Sequence, residues 1–244
     1  ENKGYISDAE YRQFCNAVVP LLRMKKRELI NTEAFRGLIE IANYSGHDLA
    51  NQTIICQIHT LNGTTLYHQE FGPVPIPTGG LTSIGIASAP LNSVTQAVQA
   101  TITLTVNPAG YTNQWDIWVY PAMAPPTPPE DLIVTADWRE ALHQLEAGAN
   151  VLLIPTASTV DSDTLGTFQP IFWNRITLPQ QKVHTLGTLN DTAHPALAAF
   201  PTQRHTSWQW QTLLDHSKPI VMDTLPKELH PIVQPIDDWN DCRK

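Results

Sequence analysis

Residues 101–110 read TITLTVNPAG. Ile102, Leu104 and Val106 alternate with Thr101, Thr103 and Thr105, the period of two that sends successive side chains to opposite faces of a β-strand. Asn107-Pro108-Ala109-Gly110 is a turn signal. Beyond it Trp115, Ile117 and Val119 form one face of a second strand, with Trp118 and Tyr120 on the other. The same period appears upstream. Ile54, Cys56 and Ile58 alternate with Thr53, Gln57 and His59, and only Ile55 breaks the outer set. Leu38 to Asn43 and Thr65 to Glu70 read as further strands, and Gly79-Gly80 followed by Gly85 as a turn entering a strand. Tyr44 to Asp48, Leu61-Asn62-Gly63 and Pro77 to Gly80 separate them. Asn62-Gly63 is a strong hairpin signal because both residues tolerate positive φ.

Six or seven short strands within about 85–90 residues, spaced by regular turns, predict an immunoglobulin-like antiparallel β-sandwich over residues 34–120. The inter-sheet cysteine pair of antibody domains is missing, so the likeness is one of architecture. Ahead of it, Ser7-Asp8-Ala9-Glu10 matches a capping box. Tyr11, Phe14, Cys15, Val18 and Leu22 follow at helical spacing, and Pro20 is expected to end or kink the helix. Arg23 to Arg27 reads as a solvated basic linker. Residues 1–33 are therefore expected to be a helical lead-in from an upstream domain.

Residues 121–130 carry prolines at 121, 125, 126, 128 and 129, a semi-rigid linker. Across it the pattern changes. Leu132 to Thr135 is a short apolar strand. Trp138, Ala141, Leu142 and Leu145 form a helical stripe that Gly148 is placed to end. Val151 to Ile154 is an apolar run of the kind buried on both faces of a parallel sheet. Together they predict a βαβ unit. Strands are expected at Lys182 to Leu189, Pro219 to Met222 and His230 to Ile236, and a helix at Thr206 to Asp215. Residues 131–244 thus read as a doubly wound α/β domain, incomplete at its carboxyl end.

Charge and composition narrow the function. The net charge is −8, which argues against phosphate neutralisation and so against nucleic acid as a partner. No run approaches the ~20 apolar residues of a membrane span. No basic-then-apolar leader is present, and an opening at Glu1 fits a mature or excised piece. Proline, 20 of 244 residues, is above the ~5% norm and suits strands joined by turns. Three cysteines, Cys15, Cys56 and Cys242, are too few and scattered for a disulfide framework or a zinc site. The nine histidines lack metal-ligand spacing, so no metal is expected. There is no phosphate-binding glycine motif and no nucleophile elbow; Ser158 after a strand lacks flanking glycines and reads as a loop serine. No cofactor is expected. Glu130-Asp131 and Asp237-Asp238 are adjacent pairs whose side chains diverge, so no catalytic residue is assigned.

The densest stretch is HPALAAFPTQRHTSWQW, residues 194–210. It places His205, Trp208 and Trp210 within six residues, and flat rings of this kind stack on the apolar faces of sugars. Trp208 and Trp210 are two apart and cannot share a helix face, so one is expected to pack and the other to cover a groove. Trp173, His205, Trp208 and Trp210 are the candidate carbohydrate contacts.

YISDAEYRQFCNAVVPLLRMKKR, NQWDIWVYP, and the span from HPALAAFPTQRHTSWQW to PIVQPIDDWNDCRK resemble the carboxyl-terminal region of large Bacteroidetes-type glycoside hydrolase family 2 proteins, β-galactosidase- or β-glucuronidase-like. The resemblance implies an upstream catalytic barrel as partner, a glycan nearby, and a periplasmic or extracellular location. It carries over no catalytic residue, because the family's Asn-Glu dipeptide does not occur here. The last domain resembles flavodoxin-like or class I amidotransferase-like folds without their nucleophile. The chain is thus expected to be a non-catalytic accessory part of a glycoside hydrolase. A free-standing carbohydrate-binding module and a small hydrolase with an unrecognised site stand as alternatives.

Overall fold

The period-two segments become a sandwich of two sheets. In the computed structural model, residues 6–124, 126–160, 164, 166, 168, 185–222 and 226–237 are described. The chain divides into two compact units, Glu1–Ala122 with Ala199–Pro201, and Met123–Ala198 with Thr202–Lys244.

In the first unit, one sheet has β1 (Val18–Arg23), β3 (Ala34–Asn43) and β6 (Gly80–Pro90) in that order, all antiparallel. The other runs β2 (Glu28–Ile30), β8 (Tyr111–Tyr120), β7 (Val98–Asn107), β4 (Leu49–Thr60) and β5 (Thr65–Ile76). In it β2 pairs with β8 in parallel and the remaining pairs are antiparallel. The register follows the alternation. Ile102 lies opposite Ile58 and Trp115, and Leu104 opposite Cys56 and Asn113. Ile54, Cys56, Ile58, Ile102, Leu104, Val106, Ile117 and Val119 are wholly buried and meet Phe35, Ile39 and Ile41 of the other sheet in one core. Full burial of an aliphatic side chain of this size stabilises the fold by about 1.5–3 kcal/mol each.

Two buried amide side chains of this unit are satisfied and tie its turns down. Asn43, 0% exposed, donates through Nδ2 to the carbonyls of His47 (3.1 Å) and Ile76 (2.9 Å). Its Oδ1 accepts from the Ser45 amide (3.0 Å) and hydroxyl (2.7 Å). One amide side chain thereby fixes the β3–β4 turn against the end of β5. Gln52 accepts from the Ala109 amide at 3.1 Å and so pins the β7–β8 turn. The Asn62-Gly63 turn forms as expected, with Gly63 at φ +85° and its amide donating to the Thr60 carbonyl at 2.8 Å.

The lead-in is corrected. The capping box starts α1, but the helix spans only Asp8–Phe14. Asn16 takes the next free amide, that of Ala17, on its own Oδ1 at 2.9 Å. Val18 and Val19 then favour extended backbone. Pro20, without an N–H, fits an outermost strand. Val18 to Leu22 therefore belong to β1, in register with Asn43 to Ile39. The basic stretch ends β1 and connects it to β2, with Arg23, Lys25 and Lys26 exposed. Arg23 pairs with Glu40, and Lys26 with Glu33 at 2.7 Å. Arg27 donates to the Asp116 carbonyl at 3.4 Å, and burial lowers its pKa.

The second unit departs further from expectation. β9 (Leu132–Thr135), α2 (Trp138–Glu146) and β10 (Asn150–Leu153) form the expected βαβ unit, with β9 and β10 parallel. Among the described residues the parallel sheet has these two strands, and no doubly wound, flavodoxin-like sheet is seen among them. Leu152 (46% exposed) and Ile154 (56%) show why: the apolar run is not covered on both faces. β11 (Thr185–Asn190) and β12 (Val233–Asp237) make a separate antiparallel pair. Residues 219–222, expected as a strand, have no regular structure. The expected helix at 206–215 splits into a 3-10 turn at Trp208–Trp210 and α3 (Gln211–Asp215).

Candidate glycan-contact segment

The segment around His205 is held by β11. Gly187 sits at φ +111°, and a Cβ there would lie 2.5 Å from the Thr206 hydroxyl oxygen. Only a glycine allows that approach. It places the Thr206 hydroxyl to accept from the Thr188 amide, and the β11–β12 register shifts at this point. Thr188, 0% exposed, donates its hydroxyl to Asn190 Oδ1 at 2.9 Å. Asn190 donates from Nδ2 to the Gln203 carbonyl (2.9 Å) and from its amide to the Arg204 carbonyl (2.8 Å). Leu189 and His205 form an isolated antiparallel bridge. Residues 203–206 are thus laced along β11 by backbone and amide groups, which leaves the side chains of Gln203, Arg204 and His205 exposed.

The two indoles part as expected. Residues two apart in a 3-10 turn diverge by about 240°. Trp210 is 5% exposed and donates from Nε1 to the Thr202 hydroxyl at 2.9 Å. Trp208 is 46% exposed and rests against Phe168, ring centres 4.9 Å apart and planes at 50°. Trp210 is therefore a packing residue, whereas Trp208 and His205 present outward surfaces. Trp173 lies outside the described residues. His194 caps the short Pro195–Leu197 turn, its Nδ1 accepting from the Ala196 amide at 3.2 Å. The acceptor role puts the ring's proton on Nε2. Sequence reasoning missed Phe168, whose partnership with Trp208 spans 40 positions and leaves no local pattern.

Four carboxylates among the described residues of this unit serve local structure. Asp137 caps α2, accepting from the amides of Arg139 (2.7 Å) and Glu140 (3.1 Å). Those two bonds, the one from Glu140 foremost, hold its carboxyl below the usual range. Glu140 accepts from the Thr135 hydroxyl, Asp191 from the Ala193 amide, and Asp215 from the Phe168 amide. A carboxylate already seated at the α2 amino terminus opposes the binding of a phosphate there. Ser158 shares its hydroxyl with Thr156 at 3.0 Å in a turn after β10, and no general base among the described residues is bonded to it. Among the described residues, no group of three or more His, Cys, Asp or Glu could hold a metal ion, and no helix is long and apolar enough to cross a membrane.

No curated protein matches the chain. Solved structures give weak likenesses. The CARDB domain of PF1109 from Pyrococcus furiosus is 13% identical with a TM-score of 0.33, covering 43% of this chain and 94% of that one. The C-terminal domain of wzt is 12% identical with a TM-score of 0.32, covering 44% and 75%. The β-glucuronidase of Parabacteroides merdae is 12% identical with a TM-score of 0.30, covering 43% of this chain and 14% of the enzyme. Two family models match in succession: residues 33–121 match the domain of unknown function DUF8488, and residues 133–244 the domain of unknown function DUF8487.

Proposed function

We propose that this chain is a non-catalytic accessory part of a glycoside hydrolase and that it contacts glycan through Trp208. The observation that carries the reading is the split between the two indoles. Trp210 is committed to packing, and Trp208 holds nearly half its surface open with Phe168 bracing it. An indole fixed in orientation and open to solvent can stack on the apolar face of a pyranose ring. The exposed Gln203, Arg204 and His205 lie on the same laced segment and supply donors for sugar hydroxyls. The carboxylates described above act as caps and turn fasteners, which supports an accessory role. In this reading a catalytic barrel upstream is the partner, and the protein works in the periplasm or outside the cell.

The test is a glycan array probed with the intact chain, repeated with Trp208→Ala and His205→Ala. The expected result is binding to a neutral oligosaccharide that Trp208→Ala removes and His205→Ala weakens. Absence of binding across the array, or binding indifferent to Trp208→Ala, would overturn the reading.

A further inference from the structure

A second feature of the same unit has different chemistry. A cleft of about 820 Å³ opens beside β11, β12 and α3, walled by Trp210, Leu214, Ile220 and Val233 among others. That volume is within the ~300–1,000 Å³ of small-molecule sites, which are mostly apolar with a few placed polar groups. Two of its polar groups already have partners in the fold. The Thr188 hydroxyl is bonded to Asn190, and the Ser217 hydroxyl donates to the Leu214 carbonyl at 3.0 Å. Lys218 is different. Among the described residues it is the single charged one of the lining and has no ion-pair partner, and it is half-buried. Among the described residues no carboxylate lines the cleft.

We infer that this cleft binds a free fatty carboxylate, the acyl chain lying along the apolar wall and the carboxylate meeting the Lys218 ammonium. The apolar wall selects against sugars and other polyols, whose hydroxyls would lose water without finding partners. The single cation selects a monoanion over a neutral lipid, because a charge-assisted bond to a half-buried ammonium is stronger than one to a neutral group. The inference is independent of the glycan reading, since it concerns another ligand and a cleft in which Trp208 takes no part.

The test titrates decanoate and 1-decanol into the intact chain by calorimetry. Decanoate is expected to bind at one site. Lys218→Gln should weaken decanoate about tenfold, the equivalent of ~1.4 kcal/mol, and leave decanol within about twofold. Lys218→Arg should retain decanoate binding. Ile220 is 61% exposed, so Ile220→Asp is tolerated by the fold; it should weaken both ligands by placing a carboxylate on the wall. No decanoate binding to the unmodified chain would overturn the proposal. So would equal loss of both ligands in Lys218→Gln, or decanoate binding that Lys218→Gln leaves unchanged.

Discussion

Asn113 of β8 donates from Nδ2 to the carbonyl of Pro20 in β1 at 2.9 Å, a hydrogen bond between the two sheets of the sandwich. Asn113 is 6% exposed, and its Oδ1 accepts from the Gln114 amide at 2.9 Å, which fixes the rotamer. Pro20 cannot donate to a neighbour, but its carbonyl still needs a partner, and β8 supplies one from across the core. Asn113→Ala leaves that acceptor buried and unpaired. The expected loss is about 1–3 kcal/mol by urea denaturation. Asn113→Asp removes the donor at nearly the same volume and should also destabilise. A midpoint unchanged in both variants would show that the bond contributes nothing net.

Gly72 and Gly63 both hold positive φ, at +105° and +85°, yet they should respond differently to alanine. A Cβ on Gly72 would lie 2.7 Å from the Gln52 carbonyl oxygen of the neighbouring strand β4 and 2.9 Å from the Val74 amide nitrogen of its own strand β5, both backbone atoms. A Cβ on Gly63 meets nothing within 4 Å. Gly63→Ala is expected to cost only the left-handed penalty, about 1–2 kcal/mol. Gly72→Ala adds a clash that the sheet must open to relieve, so its melting temperature should fall further.

Burial pushes the Cys56 thiol up to about 12. The folded state therefore retains this proton when an unfolded chain, with a thiol pKa near 8.5, has released it. Its contribution to stability is intact below about pH 8.5 and is lost as the pH rises towards 12, at up to ~1.4 kcal/mol per pH unit. Cys56→Ala should show a shallower alkaline loss than the unmodified chain, whatever its stability at neutral pH. At pH 8 a thiol reagent should label the exposed Cys15 and spare Cys56, as read by peptide mass.

Trp210→Ala removes a packed indole and leaves the Thr202 hydroxyl without its donor. The expected cost, where the unit unfolds cooperatively, is about 3–5 kcal/mol. Trp208→Ala should lower stability far less, because the side chain is half open. Comparable losses in the two variants would mean that Trp208 is also structural.

These contrasts show what the sequence could disclose. The pairing of β7 with β8 was legible because Ile102, Leu104 and Val106 repeat at a spacing that no helix satisfies. The divergence of Trp208 and Trp210 was legible for the same kind of reason, since a two-residue step cannot return to one face. Val18 to Leu22 misled because Tyr11, Phe14, Cys15, Val18 and Leu22 fit helical spacing. The β-branched pair Val18-Val19 and the Pro20 carbonyl find their partners in β3 and β8, far along the chain. Val151 to Ile154 misled because an apolar run does not say how many strands flank it. Gly187 gave no local sign, as its reason is the hydroxyl of Thr206, 19 positions on.

Residues 18–30 pass from one sheet to the other, β1 lying beside β3 and β2 beside β8. This has a consequence for where the molecule can be cut. A recombinant fragment trimmed to the family-model match, beginning at residue 33, would lack both strands. It would leave β3 and β8 with unpaired amides and carbonyls on two fresh edges, each a template for joining another copy. Such a fragment is expected to self-associate in light scattering, while one beginning at Ser7 stays monodisperse.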